Sequence, residues 1–219
     1  MDQKRINSKL PIAREGLPFI IIGAAIAIIA GIFHLVSLFV VMSIVTLFIV
    51  YFFRDPNRIS PVNENAVLTP ADGKILSIEK LGKGDHNYKH SSIKISIFMS
   101  LFNAHINRIP IKGKILDICY APGKFFSANM DKASQYNEHN IITLETYNDK
   151  KIAFVQIAGL IARRIACWVK ERDHVESGQR FGLIRFGSRL EVYLPTNSVI
   201  TVQKGQKVKA GQTVIGYIK

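Results

Sequence analysis

Three short stretches of the sequence carry residues that could do chemistry. Gly187 and Ser188 lie inside an apolar, strand-like run, LIRFGSRLEVYLP, where a glycine weakens a strand and often marks a bulge or a close backbone approach. A serine hydroxyl becomes a nucleophile when a base activates it and donors stabilise the oxyanion. The pair lacks the second glycine of the Gly-x-Ser-x-Gly elbow and leads into another strand, which argues against a serine hydrolase.

The second and third stretches supply a carboxylate and an imidazole. Asp72 lies in TPADGKI, where an Asp-Gly pair alone predicts a turn. His105 lies in FMSLFNAHINRIP, directly after an apolar strand. A lone histidine is usually a bystander, but here Asn103, Asn107 and Arg108 surround it at a strand end. This polar cluster favours a functional site.

The elements that must position these residues are short β-strands. Seven segments after residue 66 are β-branched and partly alternating, with Gly, Pro, Asn or Asp clusters between them: 74–81, 92–99, 113–121, 140–148, 151–159, 182–195 and 212–219. They predict a mainly β chain with an all-β sandwich or barrel-like domain. Residues 129–136 could form one or two helical turns, and 158–170 has mixed periodicity. The glycine-punctuated tail, 199–218, is typical of lipoyl-like hairpins, although the carrier lysine between methionines is missing.

The N-terminal part predicts a membrane anchor. The 37 residues 17–53 contain no charged side chain, too many for a single span of about 20 residues. A break near Gly31 and His34 gives two short apolar helices, about 17–32 and 35–53. A signal peptide followed by a strand fits less well, because no small-residue cleavage site follows. Basic residues on both sides place both ends in the cytoplasm: Lys4, Arg5, Lys9 and Arg14 before the run, and Arg54 and Arg58 after it.

The charge balance indicates an anionic partner. The formal net charge is +13 over 219 residues, and anionic lipid headgroups attract such charge. Nucleic acid is not expected, since no aromatic-plus-basic recognition motif is present. We therefore divide the chain into a basic segment (1–16), a membrane anchor (17–53), a polar linker (54–66) and a β-rich domain (67–219).

Four motifs taken together resemble the phosphatidylserine decarboxylase family in its short bacterial form. They are PADGKI, FMSLFNAHINRIP, VQIAGLIARRI and RFGLIRFGSRLEVYLP, and the resemblance covers nearly the whole chain. It implies a proenzyme that breaks its own Gly187–Ser188 bond by autocatalytic serinolysis. Ser188 would become a covalent pyruvoyl group at the start of a small chain. That group would form a Schiff base with phosphatidylserine, and decarboxylation would give phosphatidylethanolamine and CO2.

The resemblance also assigns roles to the polar residues. It implies that Asp72 and His105 are catalytic. Long-form members resemble the pattern His-x-x-His-x-Pro at this stretch. The corresponding residues here are His105, Arg108 and Pro110, so the second histidine is replaced by an arginine. An arginine cannot act as a general base at ordinary pH. Arg108 could instead bind a substrate anion, or it could make a surface lipid contact or a structural ion pair, and no metal is expected.

The expected partners are phosphatidylserine in an anionic membrane and the large and small chains of the same precursor. The expected location is the inner cell membrane, with the catalytic domain on the cytoplasmic side. The sequence leaves open whether two copies form a homodimer. The alternative function is a non-enzymatic, membrane-tethered lipoyl-like adaptor, whose chain would remain uncut.

Overall fold

We describe a computed structural model of the chain. The structure describes residues 2, 6, 10–61, 63–82, 92–124, 126–127, 136–159, 165–185 and 187–219, which are called the described residues below. The chain divides into two compact units, Ser8–Asn57 and Met1–Asn7 together with Arg58–Lys219. Each unit is described by itself.

The smaller unit contains the apolar run. A short 3-10 helix, Arg14–Gly16, leads into helix α1 (Leu17–Ile32), and helix α2 (Val36–Phe52) follows after a break. His34 in the break has a φ of 56°. Helix α1, counted together with the 3-10 turn from Arg14, is long and apolar enough to cross a membrane, whereas α2 is shorter. Membrane insertion of the two helices stays a prediction.

The larger unit is built on an eight-stranded antiparallel sheet. Its order within the described residues is β13-β2-β3-β11-β7-β6-β5-β9. The strands are β2 (Gly73–Leu81), β3 (Ser92–Met99), β5 (Gly113–Ala121), β6 (His139–Thr146), β7 (Lys151–Ile157), β9 (His174–Val175), β11 (Ser188–Pro195) and β13 (Lys207–Val208). The prediction of a mainly β chain is confirmed.

Two three-stranded sheets complete this unit in the described part of the chain. One has the order β1-β14-β12, from β1 (Ala66–Leu68), β12 (Val199–Ile200) and β14 (Val214–Tyr217). The other has the order β4-β10-β8, from β4 (Ile106–Arg108), β8 (Ile165–Cys167) and β10 (Arg180–Ile184). Several of these strands have only two or three residues, too few to show an alternating pattern in the sequence.

Burial differs between the strands of the large sheet. In β6 buried and half-buried residues alternate, as expected where one face is wet. Strands β3 and β11, at the centre of the order, are buried on both faces. One face of β11 carries a charged ladder, which we define as Arg189, Glu191 and Tyr193.

The charged ladder is fully enclosed and internally bonded. The side chains are 2%, 0% and 0% exposed in that order. Arg189 Nε lies 3.0 Å from Glu191 Oε1, and the Tyr193 hydroxyl donates to Glu191 Oε2 at 2.7 Å. Arg189 also donates to Ser96 Oγ at 2.9 Å. Burial, and then the neighbouring Glu191 carboxylate, hold the pKa of Tyr193 well above its usual value.

The structure corrects one strand prediction. The run 182–195 was interpreted as one continuous strand-like segment, but it forms two strands, β10 and β11, in two different sheets. The break between them contains Gly187. The predicted turns at 129–136 lie outside the described residues except for Tyr136, and 160–164 of the mixed-periodicity segment lie outside them too; its residues Ile165–Cys167 form β8.

Candidate active site

Gly187 and Ser188 lie where the chain passes from one sheet to the other. Gly187 has a φ of 63°, in the left-handed region that favours glycine. An added Cβ would meet nothing within 4 Å, so the backbone conformation and not a lack of space favours glycine here. Ser188 is the first residue of β11 and is fully buried. Its Oγ is buried with no hydrogen-bond partner among the described residues.

Two strand pairings place the segment that contains His105 next to the segment that contains this bond. In the large sheet Ser188 pairs with Met99, and in the small sheet Ile106 pairs with Leu183. The segment 99–106 therefore runs alongside the segment 183–188, with His105 one residue before the second ladder. Sequence separation hides this proximity, because the two segments are more than 75 residues apart.

The contacts of His105 fix which ring nitrogen carries the hydrogen when the imidazole is neutral. The side chain is 1% exposed, and its Nδ1 lies 2.9 Å from the carbonyl oxygen of Asn103. A carbonyl can only accept, so in this bond Nδ1 carries the hydrogen. The lone pair of the neutral ring is then on Nε2, the atom that could take a proton. The Asn103 side chain accepts from the backbone N–H and hydroxyl of Ser100, which fixes the turn before His105.

Asp72 lies at the same end of the large sheet, just before β2. Both of its oxygens accept from the Arg58 guanidinium, one at 2.7 Å, and the Ala210 N–H donates to Oδ1 at 2.8 Å. Arg58 also donates to the Ala210 carbonyl at 2.8 Å. A Cβ on Gly73 would lie 2.0 Å from the Phe98 oxygen, so only glycine allows this approach to β3. Orientation of the imidazole by Asp72 stays a prediction.

Sequence reasoning missed the role of Arg58. We counted it as a basic flank of the apolar run, but its side chain is 8% exposed and paired with Asp72. The residue stands in the polar stretch RDPNRISP, 14 positions before its partner. No local pattern marks such a long-range pair, so only the fold reveals it.

Arg108 follows Asn107 in β4, so the two side chains project from opposite faces of the strand. It is 5% exposed, and its guanidinium donates to the Gly178 carbonyl at 2.9 Å. Its backbone N–H donates to Pro70, which ties β4 to the turn that carries Asp72. A cavity of about 610 Å³ is lined by three arginines, Arg58, Arg108 and Arg180, together with His174 and Glu176. This lining suits an anionic ligand better than a cation.

Metal ligation has no support in the described part of the chain. There, no group of three or more His, Cys, Asp or Glu side chains could hold a metal ion. The polar atoms of the site are instead a hydroxyl, an imidazole, a carboxylate with its arginine, and buried amides. Such a set suits proton transfer and acyl chemistry at a backbone bond.

Comparisons with known proteins show which family the chain resembles over most of its length. A sequence model described as phosphatidylserine decarboxylase matches residues 45–216. The chain is similar to a phosphatidylserine decarboxylase proenzyme of Desulfotalea psychrophila, with 48% identity over 97% of this chain and 99% of the relative. Proteins of the same name from Syntrophus aciditrophicus and Geotalea uraniireducens share 48% and 46% identity, over 94% and 97% of this chain and 96% and 99% of the relatives.

Proposed function

The chain belongs to the phosphatidylserine decarboxylase family, and we propose that it converts phosphatidylserine to phosphatidylethanolamine and CO2 after cutting itself between Gly187 and Ser188. The relatives are named proenzymes, which implies processing of a precursor. The observation that supports this bond is the left-handed Gly187 directly before a buried Ser188 hydroxyl. The alternative, a non-enzymatic membrane-tethered adaptor, is not supported, since the relatives are named as enzymes.

Self-cleavage begins with attack of Ser188 Oγ on the Gly187 carbonyl carbon. His105 Nε2 accepts the hydroxyl proton. Collapse of the tetrahedral intermediate breaks the peptide C–N bond, the imidazolium returns the proton to the Ser188 nitrogen, and an ester with a free amine remains. A base then removes the α-hydrogen of residue 188, and the Cβ–Oγ bond breaks to give dehydroalanine and the Gly187 carboxylate. Hydrolysis of the resulting enamine releases ammonia and leaves a ketone, the pyruvoyl group.

The residues around Ser188 fit such a group. Ser188 is buried at the start of a central strand, so its position is fixed and enclosed. When present, a pyruvoyl group supplies an electron sink for decarboxylation. Strand pairing of the neighbouring segments supports His105 as the base or acid at this position. We propose that Asp72 acts from the same sheet end, through the turn that it ties to Arg58 and Ala210 and through its charge near the imidazole.

Substrate binding is proposed for the arginine-lined cavity. Arg108 would bind the phosphate or carboxylate of the headgroup, since a guanidinium can donate two parallel hydrogen bonds to either. Exposed lysines at 204, 207 and 209 would add attraction to an anionic bilayer. Arg163 and Arg164, which the sequence also suggests for this contact, lie outside the described residues.

The helices α1 and α2 would anchor the enzyme as a hairpin, with both ends and the β-rich unit on the cytoplasmic side of the inner membrane. The basic flanks support this orientation. Reporter fusions at residues 16 and 60 should both report the cytoplasm. Reports from opposite sides would replace the hairpin by a single span.

Intact-mass measurement on a denatured sample tests the proposed cleavage. The wild-type protein should give two chains, the smaller beginning at residue 188 and lacking a free amino terminus. Ser188→Ala removes the nucleophile and should leave one chain of 24.6 kDa with no decarboxylase activity. Normal processing of Ser188→Ala would place the cut elsewhere.

A further inference from the structure

A chain of buried side-chain amides leads to the reactive bond. Asn140 Nδ2 donates to Gln156 Oε1 at 3.1 Å, and Gln156 Nε2 donates to Asn107 Oδ1 at 2.8 Å. Asn107 Nδ2 then donates to Met99 Sδ at 3.7 Å. We call Asn140, Gln156 and Asn107 the amide relay. Their side chains are 2%, 0% and 0% exposed, so the relay is closed to water.

The amide relay fixes which way Asn107 faces. Because Asn107 Oδ1 accepts from Gln156, its NH2 group must point towards Met99. A thioether sulfur is a weak acceptor. A buried amide N–H that is given only sulfur is short of a strong acceptor, and an oxygen placed there would gain a much better hydrogen bond.

The oxygen of Ser188 is the neighbouring candidate. Met99 pairs directly with Ser188 across β3 and β11. Directly paired residues project from the same face of a sheet, with Cβ atoms about 5 Å apart. The Asn107 amide and the Ser188 hydroxyl therefore converge on the same Met99 side chain. In the uncut chain Ser188 Oγ has no hydrogen-bond partner among the described residues.

We propose that Asn107 is a catalytic residue of self-cleavage that donates to the former Ser188 oxygen as it leaves. The proposal rests on the proposed cleavage at Gly187–Ser188. In the elimination step a base takes the α-hydrogen, its electron pair forms the Cα=Cβ bond, and the Cβ–Oγ pair goes to the oxygen. That oxygen becomes part of the Gly187 carboxylate, and Asn107 stabilises its negative charge.

The position of Asn107 favours elimination over the acyl shift. During the acyl shift the negative charge collects on the Gly187 carbonyl oxygen, whereas Oγ acts as the nucleophile. A donor bound to Oγ beforehand would weaken that nucleophile. An interaction that forms only when charge reaches Oγ lowers the barrier without stabilising the starting state.

A matched pair of isosteric variants tests the assignment. Asn107→Asp keeps the acceptor for Gln156 but replaces the NH2 donor by a carboxylate oxygen. Asn148→Asp makes the same change at an exposed asparagine outside the amide relay, whose Nδ2 donates to Asn65 Oδ1 at 3.2 Å. Purified full-length protein of each variant is followed by denaturing gel and intact mass, with and without hydroxylamine. Hydroxylamine cleaves an ester and leaves a small chain that starts with a free Ser188 amine.

Asn107→Asp should slow processing about 100-fold or more, the usual effect of removing one oxyanion donor. It should also accumulate the hydroxylamine-labile ester. Asn148→Asp should process within a few-fold of the wild type and show no ester. A merely structural role for Asn107 would slow both steps together and would not build up the ester.

Asn107→Ser carries the same test without a buried charge, in case the Asp variant unfolds. Its hydroxyl is shorter, so slower processing with a trapped ester is again expected, to a smaller extent. Processing of both Asn107 variants at the Asn148→Asp rate would overturn the proposal. So would folded Asn107 variants that stay uncut in hydroxylamine, since the residue would then act before the ester. A wild-type protein that never cuts at residue 188 would instead refute the proposed function.

Discussion

The two faces of strand β11 differ sharply in how their polar groups are satisfied. On one face the charged ladder pairs Arg189, Glu191 and Tyr193 with one another and with Ser96. On the other face Ser188 Oγ has no partner among the described residues, and the nearest amide donates to a sulfur. Both faces are equally buried. Consecutive residues of one strand therefore lie in opposite polar environments.

The difference separates stability from reactivity along a single strand. A buried charge is tolerated only when it is paired, so the ladder fixes the position and register of β11. A buried hydroxyl without a partner costs free energy, and such a cost is typical of functional sites. We therefore expect the charged ladder to hold β11 in place, while the Ser188 hydroxyl on the opposite face stays without a hydrogen-bond partner among the described residues. Variants on the two faces should have different effects.

The largest effect is expected at His105. His105→Ala removes the proposed base and should slow chain cleavage by about 10²–10⁴-fold, the usual contribution of general base catalysis. A time course of processing on gels, beside an assay for phosphatidylethanolamine, gives both rates. His105→Gln is the control for lost packing. Normal processing with lost decarboxylation would assign His105 to the second reaction only.

The next effect concerns the ladder and should appear in stability. Glu191→Ala leaves Arg189 buried without its counter-charge, so the free energy of unfolding should fall by about 3–5 kcal/mol. Urea unfolding of the variant in a Ser188→Ala background removes any effect of processing. Glu191→Gln keeps a hydrogen-bond acceptor and should lose less. A loss below about 1 kcal/mol would show that the ladder is not what holds β11.

Arg108 lies on neither face and should affect only the substrate. Arg108→Ala should still cut its chain, but kcat/KM for decarboxylation should fall about 10–100-fold, as expected for loss of hydrogen bonds to an anion. Arg108→Lys keeps the charge without the planar pair of donors and should recover part of the loss. Failure of Arg108→Ala to cleave would place the residue in processing instead.

The smallest effect is predicted for Tyr193 and depends on pH. Tyr193→Phe removes a hydrogen bond to Glu191 and should cost about 1–2 kcal/mol at neutral pH. Because the folded-state pKa of Tyr193 is raised, its contribution is complete below the unfolded-state pKa of about 10. It should be lost as pH rises above that value. Unfolding curves at pH 7 and pH 11 should therefore show a difference between wild type and variant that shrinks at pH 11.

The parts of the fold that the sequence predicts are those with long local patterns. Segments 92–99 and 113–121 match β3 and β5 residue for residue, because each is a partly alternating run of eight or nine residues that includes several isoleucines. The two apolar helices follow from an uncharged run with a break. The strands β4 and β8 are too short for any period, although β4 carries Asn107 and Arg108.

The site was predictable as a set of residues but not as a set of contacts. Chemistry and motif resemblance single out Ser188, His105 and Asp72. The Arg58 partner of Asp72 and the Gln156 partner of Asn107 arise from strand pairing between distant segments. A polar residue in a linker or in an apolar strand gives no sign of the partner that the fold supplies.

The location of Ser188 at the first residue of β11 has a consequence for the processed protein. Residues 188–219 contribute a strand hydrogen-bonded on both sides, to β3 and to β7, and further strands that pair with β1 and β2. A cut before residue 188 would break no hydrogen bond between paired strands. The two polypeptides would share one cooperative unfolding transition, so dilution should not separate them. Separating the two polypeptides would therefore require unfolding the sheet that they share.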